Sequence, residues 1–134
     1  MTRSEARESA FILLFESMFN PEYSFADMKE FTAESELFDI DDFTSSLYAF
    51  AHDNAERLDG EIVPFLKNWK LERLPRTVLA VLRLSFAQLN YMPDVPASVV
   101  VNEAVELTKK YATEKDAAFV NGLLGAVLRD RSAK

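Results

Sequence analysis

The sequence predicts an all-α domain of about six or seven helices. Three observations carry that expectation. Apolar residues recur at helical spacing along nearly the whole chain of 134 residues. Glycine occurs three times and proline five, too few for a turn-rich all-β fold. Apolar residues make up 49% of the chain, enough to give residues 1–134 one domain with a real core.

The first helix is expected from Ser4 to Phe19, with Ala6, Ala10, Phe11, Leu14, Phe15 and Met18 inward. Asn20-Pro21 ends it, because the residue before a proline avoids the helical region. Ser24 is a candidate N-cap for a second helix, Phe25 to Ala33. The acidic stretch Glu34–Asp42 reads as a connection. Asp41 or Asp42 caps a third helix that turns Phe43, Leu47, Phe50 and Ala51 inward. Gly60 and Pro64 are expected to interrupt it, leaving Ile62–Trp69 as a separate short helix.

Pro75 suits the first turn of the next helix, Arg76 to about Asn90. That helix is apolar over most of its circumference, so a central position is expected. Arg83 is its exception. A lone charge there needs a partner, and an acidic residue of the first half is the expected one. Pro93 and Pro96 mark the loop that follows. Val100, Val101, Ala104, Leu107, Thr108 and Tyr111 then share one side of a helix, with Asn102, Glu103, Glu106, Lys109 and Lys110 on the other. The last helix carries Phe119, Val120, Leu123, Leu124 and Val127 as its apolar stripe. Gly122 and Gly125 lie beside that stripe and point to a close helix–helix approach. Asn102 and Asn121 lie off the stripes and are expected to be structural. At least one should be buried and bonded across the junction between bundles. The pieces suit two small bundles sharing one core.

The chemistry of the chain excludes more than it offers. Without cysteine there is no disulfide and no thiol nucleophile. His52, the single histidine, lacks companions with ligand spacing. Asp39-Ile40-Asp41-Asp42 lacks the glycine and distal glutamate of a calcium loop. Neither G-x-S-x-G nor a Gly-rich phosphate loop occurs. No enzyme, metal site or cofactor is therefore expected. No leader and no long apolar run occurs either, so a cytoplasmic protein away from membranes is expected.

Charge is uneven. The chain carries −7, with −10 on residues 1–72 and +3 on residues 73–134. A polyanion would be steered to the second half or to a local patch. Arg3 and Arg7 stand one helical turn apart, interleaved with Glu5 and Glu8. On the residues alone, a salt-bridged surface turn is favoured over a pair of phosphate contacts. Lys109, Lys110 and Lys115 flank the junction of the last two helices, where Glu106 can pair with Lys110. Phe119 sits at the edge of its stripe. An aromatic beside three lysines could stack on an unpaired base.

Several motifs occur together in a specific order. Arg3-x-x-x-Arg7-Glu8-x-Ala10-x-x-x-Leu14-Phe15 opens the chain. Leu58-Asp59-Gly60, Trp69-x-Leu71-Glu72-Arg73-Leu74 and Val81-Leu82-Arg83-Leu84 follow. Pro96, Asn102-Glu103-Ala104-Val105-Glu106-Leu107 and Phe119-Val120-Asn121-Gly122-Leu123-Leu124 complete the series. The whole resembles the NusB family of transcription antitermination factors. The resemblance implies two perpendicular three-helix bundles. It also implies binding of boxA-type single-stranded RNA together with the ribosomal protein NusE, within an antitermination complex on RNA polymerase that supports read-through of ribosomal RNA operons. Neither catalysis nor a cofactor is implied. By the same resemblance, Arg3, Arg7, Phe15, Lys115 and Phe119 form one RNA-facing rim; Arg83, Asn102 and Asn121 remain structural on the helical phases given above. Phe15 stands where the family often has Tyr, and the chain has fewer N-terminal arginines than better-known members, so weak RNA binding without NusE is expected. An alternative reading is a NusB-like helical interaction module, homodimeric, with little RNA affinity. A further one, an RNA-binding appendage of an RNA methyltransferase, is disfavoured by the short chain.

Overall fold

The computed structural model describes residues 2–22, 24, 26–27, 30 and 41–133. Among the described residues are six α-helices and no strand: α1 (Arg3–Phe19), α2 (Asp42–Asp53), α3 (Ala55–Ile62), α4 (Arg76–Tyr91), α5 (Ala97–Tyr111) and α6 (Glu114–Ser132). Of the expected helix Phe25–Ala33, the described residues Ala26, Asp27 and Glu30 are helical, and Ser24 Oγ accepts from Asp27 N at 3.2 Å as the expected cap. The rest of that helix and most of the acidic connection after it lie outside the described residues.

Local chemistry sets the helix starts. Thr2 and Glu5 form a capping box before α1: Glu5 N donates to Thr2 Oγ1 at 3.1 Å, and Thr2 N donates to Glu5 Oε1 at 2.9 Å. Asp41 Oδ1 accepts from Thr44 N at 2.8 Å to start α2, and Thr113 Oγ1 accepts from Asp116 N at 3.0 Å to start α6. The hydrogen bond from the Thr44 backbone holds the Asp41 carboxyl below its ordinary range. A depressed carboxylate stabilises the fold above its unfolded pKa and loses that contribution as pH falls through its folded value. Asp41→Ala should therefore cost about 1 kcal/mol at neutral pH. The gap to the parent should close below the ordinary carboxylate range. Urea denaturation at neutral and acid pH checks both; a gap that does not change with pH would contradict the capping account.

Two expectations near the chain's middle are corrected. Gly60 does not interrupt a helix; α3 runs through it to Ile62. One helical glycine costs about 1 kcal/mol, which complete burial of Leu58 and Ile62 outweighs. The expected helix Ile62–Trp69 is only a 3-10 turn, Val63–Phe65. Lys67 then adopts φ 57°, a left-handed conformation that a right-handed helix does not continue through.

α4 is central, as its apolar circumference predicts. It touches all five other helices. α1, α2 and α4 pack mutually, and so do α4, α5 and α6, so two three-helix groups share one member. α3 packs on the same helix. A single apolar core runs through both groups, with Phe11, Leu47 and Tyr48 on one side and Val120 and Leu124 on the other, around Leu82 and Phe86.

Two more expectations need correction. Gly122 has open space where a Cβ would stand, and the Gly125 position meets only the Arg129 side chain of its own helix, 3.5 Å away. Neither glycine marks a close helix approach. Asn102 and Asn121 are both exposed, and neither side chain makes a hydrogen bond among the described residues. On α5 and α6 the positions off the apolar stripe face solvent, so their helical phase excluded the burial expected of them. Arg83 does meet an acidic residue of the first half. Its Nε donates to Asp59 Oδ1 at 2.8 Å and its Nη2 to Asp59 Oδ2 at 2.7 Å, tying α3 to α4. Glu61 adds a second tie on α3: it accepts from Asn90 Nδ2 of α4 and pairs with Arg131 of α6.

Candidate nucleic-acid interface

The five residues of the expected RNA rim fall into different environments. Arg3 is exposed, with its guanidinium 4.3 Å from the centre of the Phe43 ring. Arg7 is only 4% exposed. It belongs to the inward side of α1, one turn before Ala10 and Phe11. Arg7 Nε donates to Gln88 Oε1 of α4 at 2.7 Å, and Arg7 Nη1 lies 3.8 Å from Glu103 Oε1 of α5. Burial pushes the guanidinium pKa down, and the Glu103 carboxylate pulls it back up. Arg7 as a phosphate contact is therefore corrected: it is a buried cation that joins α1, α4 and α5. Glu103 also accepts from Ser4 Oγ at 2.5 Å, so both its neighbours on α1 hold it in place.

Phe15 lies in a ladder of rings along α1. It stacks on Phe11 at 5.9 Å and meets Phe19 edge-on at 4.9 Å. Phe11 in turn packs on Tyr111 at the end of α5, centroids 4.9 Å apart. Phe19 is 53% exposed, and the Arg76 guanidinium sits 5.1 Å from its ring centre. Lys110 Nζ donates to Glu8 Oε2 at 2.6 Å and lies 5.6 Å from the Tyr111 ring, so part of the lysine cluster is neutralised by α1.

Lys115 and Phe119 are one turn apart on α6 and line one cleft of about 300 Å³ with Trp69, Arg73, Pro75 and Asp116. Thr113 starts α6 and thereby fixes the phase that turns both side chains this way. Pro75 precedes Arg76, which carries the ring ladder's last contact. Contacts therefore lead from Phe15 through Phe19 and Arg76 toward the cleft of Lys115 and Phe119. Arg3 stands apart, at the opposite end of α1 over Phe43.

Trp69, Arg73 and Arg76 were absent from the expected rim. A signal was present in the chain: Lys67, Lys70, Arg73 and Arg76 recur every third residue with one acid, Glu72, among them. The described residues contain no cluster of His, Cys, Asp and Glu able to hold a metal ion, and no helix among them is long and apolar enough to cross a membrane.

Comparison with known proteins covers almost the entire chain. The NusB family model matches residues 4–129. The transcription antitermination protein NusB of Clostridium botulinum (strain Loch Maree / Type A3) is 40% identical over 141 residues, spanning 96% of this chain and all of the relative. That of Lactiplantibacillus plantarum is 36% identical over 139 residues, spanning 98% of each. Among solved structures, antitermination factors NusB and NusE in complex with dsRNA include a chain that superposes with a TM-score of 0.81 at 30% identity, over 97% of this chain and 99% of that one. The solution structure of NusB from Aquifex aeolicus gives 0.80 at 32% identity, over 98% and 92%.

Proposed function

The chain belongs to the NusB family, and from that premise we propose that it is a cytoplasmic transcription antitermination factor. It binds boxA-type single-stranded RNA together with the ribosomal protein NusE. The pair joins an antitermination complex on RNA polymerase and supports read-through of ribosomal RNA operons. The protein acts by binding and carries out no reaction of its own. The observation that carries the reading is the full-length likeness to a relative solved with NusE and RNA.

Arg3 and Lys115 supply phosphate contacts, while Phe15 and Phe119 supply stacking surfaces. Cations beside aromatic rings suit single-stranded RNA, whose unpaired bases expose π-faces along a charged backbone. Arg7 acts through Glu103 and Gln88 as a positioning residue, holding α1 against α4 and α5.

Fluorescence anisotropy of a labelled boxA oligonucleotide, titrated with and without NusE at several salt concentrations, tests the function. Binding that NusE tightens and salt weakens is expected. No binding with or without NusE would overturn it. Phe119→Ala should weaken binding about tenfold, with the salt dependence unchanged. Lys115→Ala should weaken binding and flatten the salt slope by about 0.7, as expected for one phosphate contact on a single strand. The opposite pattern in the two variants would reject the residue roles while leaving the family function in place.

A further inference from the structure

Trp69 opens the motif Trp69-x-Leu71-Glu72-Arg73-Leu74, yet its ring stays largely outside the core. It is 61% exposed, the most exposed large apolar side chain among the described residues. It follows the left-handed turn at Lys67, and Trp69 N donates to Leu66 O at 3.0 Å, so the backbone holds the side chain at the surface beside α6. There it lines two adjoining concavities, and Phe119 lines both with it. Two flat rings therefore border one cleft, with Pro75 and Val78 adding apolar floor and Arg73 and Lys115 adding charge.

We propose that Trp69 is a base-stacking residue and that the cleft it shares with Phe119 takes an unpaired nucleobase of single-stranded RNA. The inference rests on the RNA-binding reading above and assigns that site a residue and a subsite. Charge selects this occupant. Residues 67–76 carry +3 on a chain of net −7. Among the described residues, Lys67, Lys70, Arg73 and Lys115 have no ion-pair partner. Asp116 is the one acid on the cleft wall. Free cations around an apolar slot favour a ligand that is both polyanionic and flat. Single-stranded RNA is both, because its bases stack on aromatic or guanidinium planes while its phosphates meet the surrounding cations. Arg76, held over the Phe19 ring, extends the same arrangement toward α1.

Trp69 is the only tryptophan in the chain, so its emission reports on the cleft alone. The full chain is titrated with an unlabelled single-stranded boxA oligonucleotide while tryptophan emission is followed. A parallel titration follows anisotropy of the labelled RNA. Quenching with the same half-saturation as the anisotropy change is expected. Trp69→Ala should bind about tenfold more weakly with an unchanged salt slope, and Trp69→Phe should recover most of the loss. If anisotropy reports binding while emission stays constant and Trp69→Ala binds like the parent, the cleft proposal fails and the RNA-binding reading stands. If the parent binds no RNA even with NusE, both fail. If emission responds only to NusE, or only to rising concentration of the chain itself, the cleft belongs to a protein partner and the proposal is overturned.

Discussion

Arg83→Ala is expected to lower the stability of the fold by about 3 kcal/mol, at the lower end of the range for breaking a buried ion pair. The guanidinium meets Asp59 with two parallel hydrogen bonds, at 2.8 and 2.7 Å. Fork-to-carboxylate geometry of this kind is the strongest that charged side chains make. Both partners are mostly shielded from water, so removing one leaves the other desolvated and unpaired. The effect should reach the whole domain, because Arg83 stands on the helix that all the others touch. Asp59→Ala should cost a similar amount. The double variant should cost clearly less than the sum, because it leaves no orphaned charge. Arg83→Lys should not rescue, since an ammonium cannot match both carboxylate oxygens. Urea denaturation of the four variants measures these terms. Single variants within about 0.5 kcal/mol of the parent would show a solvated surface pair instead.

The parts of the fold legible in the sequence are those that depend on one helix at a time. Apolar period placed α1, α4, α5 and α6 within a few residues, and the all-round apolar surface of α4 marked it as central. Arg83 was legible for the same reason: a charge with apolar neighbours on every side has few alternatives to an ion pair. Parts that depend on which neighbour a face meets were less legible. Asn102 and Asn121 have the same phase whether they look at water or at another helix, and the structure gives them water. Gly122 and Gly125 suggest contact in one dimension, but α6 enters the core through Val120, Leu123 and Leu124, and neither glycine position meets another helix. Gly60 broke a pattern on paper, while two buried anchors, Leu58 and Ile62, held the helix together.

The candidate site was legible in its chemistry and less so in its geometry. Lys115 and Phe119 share a cleft because four residues of one helix separate them. Trp69 and Arg73 join them from a segment far away in sequence; the run of cations from Lys67 to Arg76 marks that segment as basic, but its meeting with α6 is a tertiary contact. Arg7 was misplaced by its type. An arginine beside two glutamates reads as surface, yet its spacing to Ala10, Phe11 and Leu14 is that of the core face. A long stem can be buried there when a carboxamide and a carboxylate wait at its end.

Arg7→Ala is expected to cost about 2–3 kcal/mol of stability and to leave the salt dependence of RNA binding unchanged. Removal of the guanidinium leaves Gln88 Oε1 without its 2.7 Å donor in a buried setting, and an unpaired buried acceptor costs about 1–3 kcal/mol. Glu103 loses a charge partner, and the Phe43 ring loses a cation 5.2 Å from its centre. A phosphate contact would behave differently. Its loss would spare the fold and flatten the salt slope by about 0.7. Arg3→Ala supplies the contrast, because Arg3 is exposed one turn earlier on the same helix. It should change stability by no more than about 0.5 kcal/mol and lower the slope as a phosphate contact does. Denaturation midpoints and salt titrations of the two variants, the latter at a temperature where both are folded, separate the roles. A stable Arg7→Ala protein with a flattened slope would return Arg7 to the RNA surface. An unstable one with the parental slope would leave Arg7 inside the fold and Arg3 facing the RNA.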